Sequence, residues 1–486
     1  MIDSLPPRIV ARNIRWQRFG RSSLDRLSIR LDASAYCTAD KAALGDTPTI
    51  PLSELAEVRQ PTIFGKKEMQ GTSSRGVPLF SSSEMLLQSP EPAYFISRRF
   101  EPKLRQSLGV AVGTILVSRS GTIGLVTVVT PDRDGFLVDD HMIRIIPKRE
   151  GDRGILFTFL SSHIGQQLLD SLAYGAVQKE IKAFQLENIL VPRLSPHATA
   201  QISTNIDSSN RLRGEASYIY NSAIKQVLLS NHLPPLVEKG PRPTINGRAV
   251  NAFSCAFPTI SGRRLEAVEI RLEANFHNPI VRAAIVNIKE RAVESRTVGE
   301  LSRDVIMGAR FKRNYVESAY GTPFLSGKNI VQIRPSEVKH LSTNETEDLK
   351  DMLVARGWIL ITCSGTIGRT CFVWRNFENF AASQHILRVV PNEDEIDPGY
   401  LYAFLSSEYG YQQIIRFRHG SVIDEINDEQ LKKVIVPLPT AGQQKEIGDL
   451  VRQAYEKRAD ALRLEDEAQE ILMREINSKT KDCQYV

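Results

Sequence analysis

Val117-Ser-Arg-Ser-Gly-Thr-Ile-Gly124 and Ile361-Thr-Cys-Ser-Gly-Thr-Ile-Gly368 decide the fold. Each stretch sets an S-G-T-I-G turn between apolar, β-branched residues. Thr114, Ile115, Leu116 and Val117 precede the first turn, and Val126, Thr127, Val128 and Val129 follow it. Trp358, Ile359, Leu360, Ile361 and Thr362 precede the second, and Thr370, Cys371, Phe372 and Val373 follow. Strand, tight glycine turn, strand predicts a hairpin. Gly121 and Gly124 allow the positive φ that such a turn needs. A phosphate cradle would need a helix N-terminus after the glycines, and strand formers stand there instead.

Outward from these turns, the rest of the chain also matches itself. Leu24–Tyr36 (LDRLSIRLDASAY) returns at Leu265–His277 (LEAVEIRLEANFH), an offset of 241. GVPLFSSSEM at Gly76 returns as GTPFLSGKNI at Gly321, an offset of 245. HMIRIIP at His141 returns as HILRVVP at His385, an offset of 244, the same as for the glycine turns. FLSS (Phe159 and Phe404), YGAVQKEI and HGSVIDEI (Tyr174 and His419), and LENILVPRL and LKKVIVPLP (Leu186 and Leu431) all keep 245. Similar apolar strands explain one match, but not seven in order with their spacing kept. Each copy therefore reads as a mixed, strand-rich α+β domain of about 190 residues. The helical stretches within a copy are FTFLSSHIGQQLLDSL and YLYAFLSSEYGYQQII. A glycine loop, a short helix and a final V-P strand follow each of them.

After Pro196 and after Pro439 the chain turns helical and polar. Ile447, Ala454, Ala461 and Ala468 recur every seven residues, and Leu450, Lys457, Leu464 and Ile471 fall three later. That spacing is an a/d heptad seam with small residues at a. In the first copy Ile202, Ser209, Ala216 and Ala223 take a, while Asn205, Leu212, Ile219 and Gln226 take d. The flanking Arg452, Glu456, Arg463 and Glu465 are too charged for a helix lying on its own domain, so the two helices are expected to pack on each other. A helix of about 33 residues would span roughly 50 Å at its rise per residue. The expected division is domain 1 at 1–195, helix 1 at 196–230, a Pro/Gly-rich linker at 231–262, domain 2 at 263–438 and helix 2 at 439–480.

Composition narrows the class. The 486 residues carry 62 Lys+Arg against 56 Asp+Glu, a net charge of +6. That excess permits a polyanionic partner without demanding one. The cysteines (Cys37, Cys255, Cys363, Cys371, Cys483) have no C-x2-C spacing, so a zinc site is not expected. Their odd number suits a reducing cytoplasm. The N-terminal MIDSLPPRIV lacks a signal-peptide pattern, and no apolar run approaches a membrane span, so a cytoplasmic protein is expected.

The ensemble of R-L-D/E-A, S-G-T-I-G, glycine loop, V-P strand and long helix, all duplicated, resembles the specificity subunit of type I restriction–modification systems. The resemblance implies two target recognition domains, each reading half of a bipartite, asymmetric DNA sequence. It also implies two helices that pack antiparallel as a ruler in a pseudo-twofold arrangement. The partners it implies are two methyltransferase (modification) subunits and restriction/translocase subunits. S-adenosylmethionine, ATP and Mg would then belong to those partners, and this chain would bind no cofactor and catalyse nothing. The second helix opens with PTAGQQKEI, near the family's P-x-x-x-E-Q-x-x-I. The first, PHATAQISTNI, keeps Gln201 without the acid.

Major-groove reading needs donor–acceptor side chains on loops, with cations for phosphates. In copy one Lys66, Lys67, Arg75, Arg119, Ser120, Gln178, Lys179 and Lys182 qualify. In copy two Arg310, Lys312, Arg313, Lys328, Ser364, Arg416, Arg418 and His419 qualify. The candidates for partner binding and for the coiled coil are Ile202, Leu212, Ile219, Ile447, Leu450, Leu464 and Ile471. GKK at Gly65 and GKN at Gly327 lack the P-loop spacing. No Asn-Pro-Pro-Tyr-type methyltransferase motif is present, and Glu337 with Lys339 lacks a second acid for a nuclease. A duplicated DNA-recognition subunit of another phage-defence complex, or a scaffold that binds no DNA, would share the repeat.

Overall fold

A computed structural model describes residues 47–61, 76–89, 94–174, 179–236 and 273–481, with isolated residues 44, 69, 92, 244–245 and 248–249 besides. The R-L-D-A stretch of the first copy, and all but Glu273–His277 of its counterpart, lie outside these residues. The chain divides into two compact units, Met1–Leu86 with Pro90–Gly214 and Ala461–Val486, and Leu87–Ser89 with Glu215–Asp460.

In the first unit β1 (Thr49–Pro51) pairs with β9 (Leu190–Pro192). A four-stranded antiparallel sheet runs β2 (Ala56–Arg59), β8 (Met142–Pro147), β5 (Ile115–Ser118), β6 (Val126–Val128). A second sheet places β3 (Gly76–Phe80) between β4 (Tyr94–Ser97), antiparallel, and β7 (Leu137–Val138), parallel. The second unit opens with a small hairpin, β10 (Thr244–Ile245) with β11 (Arg248–Ala249). It then pairs β12 (Glu294–Thr297) with β21 (Ile435–Leu438). Its antiparallel sheet runs β13 (Ser302–Met307), β20 (Ile386–Pro391), β17 (Ile359–Thr362), β18 (Thr370–Phe372). The remaining sheet runs β14 (Tyr315–Val316), β16 (Lys339–Ser342), β15 (Gly321–Leu325), β19 (Ala381–Ala382), with β15–β19 parallel.

The sequence repeat is thus a repeat of strand order and of register. Gly76 opposes Ser97 in one copy and Gly321 opposes Ser342 in the other. Ile115 opposes Ile145, and Ile359 opposes Val389. Because side chains alternate along a strand, a shift of one residue would turn the core face to solvent. The buried Ile115, Val117, Ile143 and Ile145 hold the first register, and Ile359, Ile361, Leu387 and Val389 hold the second.

One charged residue repeats inside this core. Arg144 and Arg388, the arginines of HMIRIIP and HILRVVP, are each 2% exposed. Arg144 donates to the carbonyls of Leu108 (3.1 Å) and Val138 (2.6 Å), and Arg388 to that of Asp351 (2.6 Å). Each ties its strand to a neighbouring segment through backbone carbonyls. Burial pulls the Arg144 pKa down to about 10, against the opposing pull of Asp139 and Asp140.

The long helices run Pro196–Ser230 and Ala441–Lys481. In the first unit Ser195 Oγ donates to Glu475 (3.0 Å) and Ser209 Oγ to Glu465 (2.7 Å), so the two segments run antiparallel. In the second unit Lys457 Nζ meets Glu215 at 2.6 Å. Two expectations need correction. The a positions are buried as expected, but the second buried row lies four residues after a, not three. Ile206, Tyr220, Val227, Val451 and Leu472 are buried, while Leu212, Ile219, Leu450, Leu464 and Ile471 are only half-buried. Nor does the charge of the flanking faces keep these helices off their own domains. The Asn210 amide donates to the Val129 carbonyl at 3.3 Å, Arg153 Nε to Asp207 at 2.9 Å, and the Phe372 N–H to the Tyr455 hydroxyl at 3.1 Å. Arg452 forms a two-pronged bond to Asp397 (3.0 and 2.9 Å). Each helix packs on a helix and on a domain together, which widens the buried stripe beyond a two-helix seam. Charged heads reach partners at the rim while their stems cover apolar surface.

Candidate nucleic-acid interface

The two S-G-T-I-G turns have the geometry that their composition predicts. Gly121 and Gly124 have φ of 78° and 77°, and Gly365 and Gly368 have 74° and 83°. In the first, the Gly124 N–H donates to the Ser118 carbonyl and Ser118 Oγ donates to the Thr122 carbonyl. In the second, the Gly368 N–H donates to the Thr362 carbonyl and Thr362 Oγ1 accepts from Arg369. Gly121 and Gly365 have nothing within 4 Å of a Cβ built on them, so the tips stand clear.

Beside each turn lie the ends of the glycine loop, of which residues 175–178 in the first copy lie outside the described residues. Tyr174 and Glu180 exchange backbone hydrogen bonds (3.0 and 2.8 Å), as do His419 and Glu425 (3.1 and 2.7 Å). The next residue in each copy reaches back to the turn strand: Ile181 N–H to the Arg119 carbonyl, and Ile426 N–H to the Cys363 carbonyl, both at 3.0 Å. Turn and loop therefore form one braced ridge in each copy.

The candidate residues divide by what they touch. Several brace the ridge. The Arg119 guanidinium pairs with Glu180 at 2.9 Å and donates to the Asp140 carbonyl. Ser120, 5% exposed, bonds His141 Nδ1 at 2.7 Å. Ser364 Oγ reaches Glu425 at 3.5 Å. Arg416 lies with its guanidinium 4.0 Å from the Phe276 ring centre. Arg418 pairs with Asp424 at 3.4 Å, and His419 Nδ1 lies 3.3 Å from the Phe417 carbonyl. Others face solvent: Lys179, Lys182, Arg310, Lys312, Arg313 and Lys328 are exposed. Of these, Lys182 lies over the Tyr174 ring, Arg313 donates to the Gln384 carboxamide at 2.7 Å, and Lys328 meets Glu337 at 3.1 Å. Lys66, Lys67, Arg75 and Gln178 lie outside the described residues.

The structure adds Lys339, and the aromatic rings beside it and beside Arg313, to the candidates. Lys339 Nζ lies 4.7 Å from the Tyr315 ring centre, and Arg313 lies over Phe324 at 5.5 Å. With exposed Tyr315 and Tyr320, they make a cationic, aromatic face on the second unit. The mixture of aromatic and basic residues in FKRNYVESAY, Phe311–Tyr320, was the available signal. In the first unit, Asp139, Asp140 and His141 offer ligand atoms within 4.8 Å of one another, a clustering that the cysteine and histidine spacings did not suggest. Asp139 Oδ1 already accepts the His141 N–H at 3.0 Å, and the second copy has Ser383, Gln384 and His385 at these positions.

Among the described residues no helix is long and apolar enough to cross a membrane. Residues 290–463 match the family described as Type I restriction modification DNA specificity domain. No curated protein matches the sequence. Among solved structures, the type I restriction–modification S subunit of M. genitalium is 12% identical, with 89% of this chain and 96% of that chain covered and a TM-score of 0.35. The HsdS subunit of Thermoanaerobacter tengcongensis is 17% identical over 88% of this chain and 96% of its own, with a TM-score of 0.27. The matched segment holds most of the second copy, and the first copy repeats its strand order and register. Residues 290–463, within the second copy and its helix, belong to the family of type I restriction–modification DNA specificity domains.

Proposed function

We propose that the chain reads a bipartite, asymmetric duplex target, one short half-site per copy, and directs adenine methylation and cleavage by partner subunits. One observation carries the proposal: apart from β14, the described strands of the two copies repeat in order and register, while the exposed cations and aromatics mounted on them differ between copies. An unchanged frame presents each reading face in the same way, and different side chains there suit two different half-sites. On this reading Lys179 and Lys182 approach DNA from the first copy, and Arg310, Lys312, Arg313 and Lys328 from the second. Arg119, Ser120, Ser364, Arg416, Arg418 and His419 hold the ridge that positions them. Residues 1–195 and 263–438 act as recognition domains, and the helices after Pro196 and Pro439 set the gap between half-sites.

Catalysis lies with the partners. Two modification subunits would bind S-adenosylmethionine and flip an adenine out of each half-site, since chemistry on a base requires its extrusion. Restriction/translocase subunits would use ATP and Mg. A complex acting on the chromosome places the chain in the cytoplasm. Sequencing of methylated genomic positions in the host, with and without this gene, tests the proposal. Two short blocks separated by a fixed gap should lose methylation together. One uninterrupted block, or no change, would refute it.

A further inference from the structure

The G-x-V-x-x-E-I loop occurs in both copies, as Gly175, Val177, Glu180 and Ile181, and as Gly420, Val422, Glu425 and Ile426. In the second copy three of these four residues have a task inside the chain. Ile426 is buried, 1% exposed, and its N–H ties the loop to the turn strand. Glu425 closes the loop with two backbone bonds to His419. Gly420 sits at φ 122°, where a Cβ would meet the Ile423 carbonyl oxygen at 2.1 Å. The fourth is different in kind. Val422 is 93% exposed, and its neighbour Ile423 is 56% exposed. A tightly braced loop holds two adjacent β-branched apolar side chains out in water, and its valine is kept in both copies although Lys179 and Lys182 of the first copy are Asp424 and Asn427 in the second.

What both copies keep serves something that both meet, and on the functional reading above the two half-sites differ. The local charge also disfavours a polyanion. Arg418 is paired with Asp424 at 3.4 Å, Arg416 lies on Phe276, and the carboxylates of Asp424 and Glu425 follow the tip directly. DNA affinity comes chiefly from cations placed at phosphates, whereas protein interfaces are anchored by apolar side chains entering pockets. We propose that the Val422–Ile423 tip is a docking knob for a protein partner, inserted into an apolar pocket of the modification subunit. The inference rests on the proposed function and adds to it the surface by which the second copy holds its partner.

The test uses the full chain co-expressed with its cognate modification subunit, with partner copies counted by native mass spectrometry and duplex binding measured alongside. Val422→Asp places a charge in the pocket and should weaken one partner site about tenfold or more, so that two bound copies become one at submicromolar concentration. Val422→Ser should weaken it less, and neither should move the thermal midpoint, because the side chain is exposed. Two copies retained at unchanged affinity by both variants would overturn the inference. So would two copies retained with duplex affinity or methylation reduced at one half-site, which would place the tip on DNA. A wild-type chain that binds no modification subunit would overturn the functional reading and the inference together.

Discussion

One arginine position, occupied in both halves of the helix pair, is satisfied in two ways. In the first unit Arg213 meets Glu465 at 2.6 Å, with side chains 11% and 4% exposed, and Ser209 donates to the same carboxylate. At the repeat offset of 245 these three residues become Arg458, Tyr220 and Ala454. There the Arg458 guanidinium lies 5.1 Å from the Tyr220 ring centre and 4.8 Å from that of Tyr455, and Tyr455 donates to the Tyr402 hydroxyl at 2.8 Å. An ion pair in one unit is replaced in the other by aromatic faces together with the Gln88 carboxamide, which accepts from Arg458 at 2.7 Å. The arginine is kept because the close-packed seam leaves a cation little access to water, and either a carboxylate or ring faces can offset that loss. A repeat can thus preserve a position's requirement without preserving the chemistry that meets it.

The largest expected effect tests that contrast. Glu465→Ala removes the carboxylate from a buried arginine and should cost about 3–5 kcal/mol of unfolding free energy. Tyr220→Leu keeps most of the volume and removes one ring face, which should cost about 2 kcal/mol. Denaturant unfolding measures both, and equal losses would break the comparison.

Close approach of helix to domain gives the next prediction. A Cβ on Gly154 would stand 2.5 Å from Ser203 Cα, and one on Gly399 would stand 2.7 Å from Gly448 Cα. The offset of 245 relates these two contacts, so valine at either glycine should cost about 1–3 kcal/mol by overpacking. Thermal melting of the pair checks this, and a neutral result at either would show that the helix can shift there.

On the reading face, Arg310→Ala and Lys312→Ala should each weaken duplex binding across all sequences and lower the log–log salt slope by about one. Lys179→Ala should do the same through the first copy. A variant that changes sequence preference without changing the slope would move that residue from phosphate contact to base reading.

The smallest effect is alkaline and confined to the second unit. Burial pushes the Cys363 thiol up to about 12, with the Glu425 charge adding to it, and burial pushes Cys371 up to about 12. The first copy has Arg119 and Thr127 at these positions. A thiol whose folded pKa lies above its unfolded value contributes full stability below the unfolded pKa and loses that contribution as pH rises through the folded one. The second unit should therefore weaken slightly from about pH 9 toward 12, and Cys371→Ala should flatten that slope in unfolding measured against pH. A slope unchanged by the substitution would assign the loss to other groups.

Much of this was legible in the chain. The duplication, the hairpins, the positive-φ glycines and the heptad a positions all followed from residue type and spacing. Local rules carry that information, because strands alternate, turns need glycine and helices repeat. The companion row four residues after a was not legible, since Val451 and Leu472 serve a packing surface shared with a domain distant in sequence. Nor could charge alone separate Arg119 and Arg418, which brace the ridge, from Arg310 and Lys312, which stand exposed. All four are loop cations in the sequence, and only folding brings Glu180 to the first and places Asp424 beside the second.

The sequence by itself determined that there are two copies of one frame, where each turns, and which apolar residues form its core. The tertiary structure decided which charges are already used, which helix face is covered, and that Val422 is left standing in water. The physical reason is range. Backbone conformation and hydrophobic periodicity are set within a few neighbouring residues, whereas burial and charge pairing depend on residues brought together from distant parts of the chain.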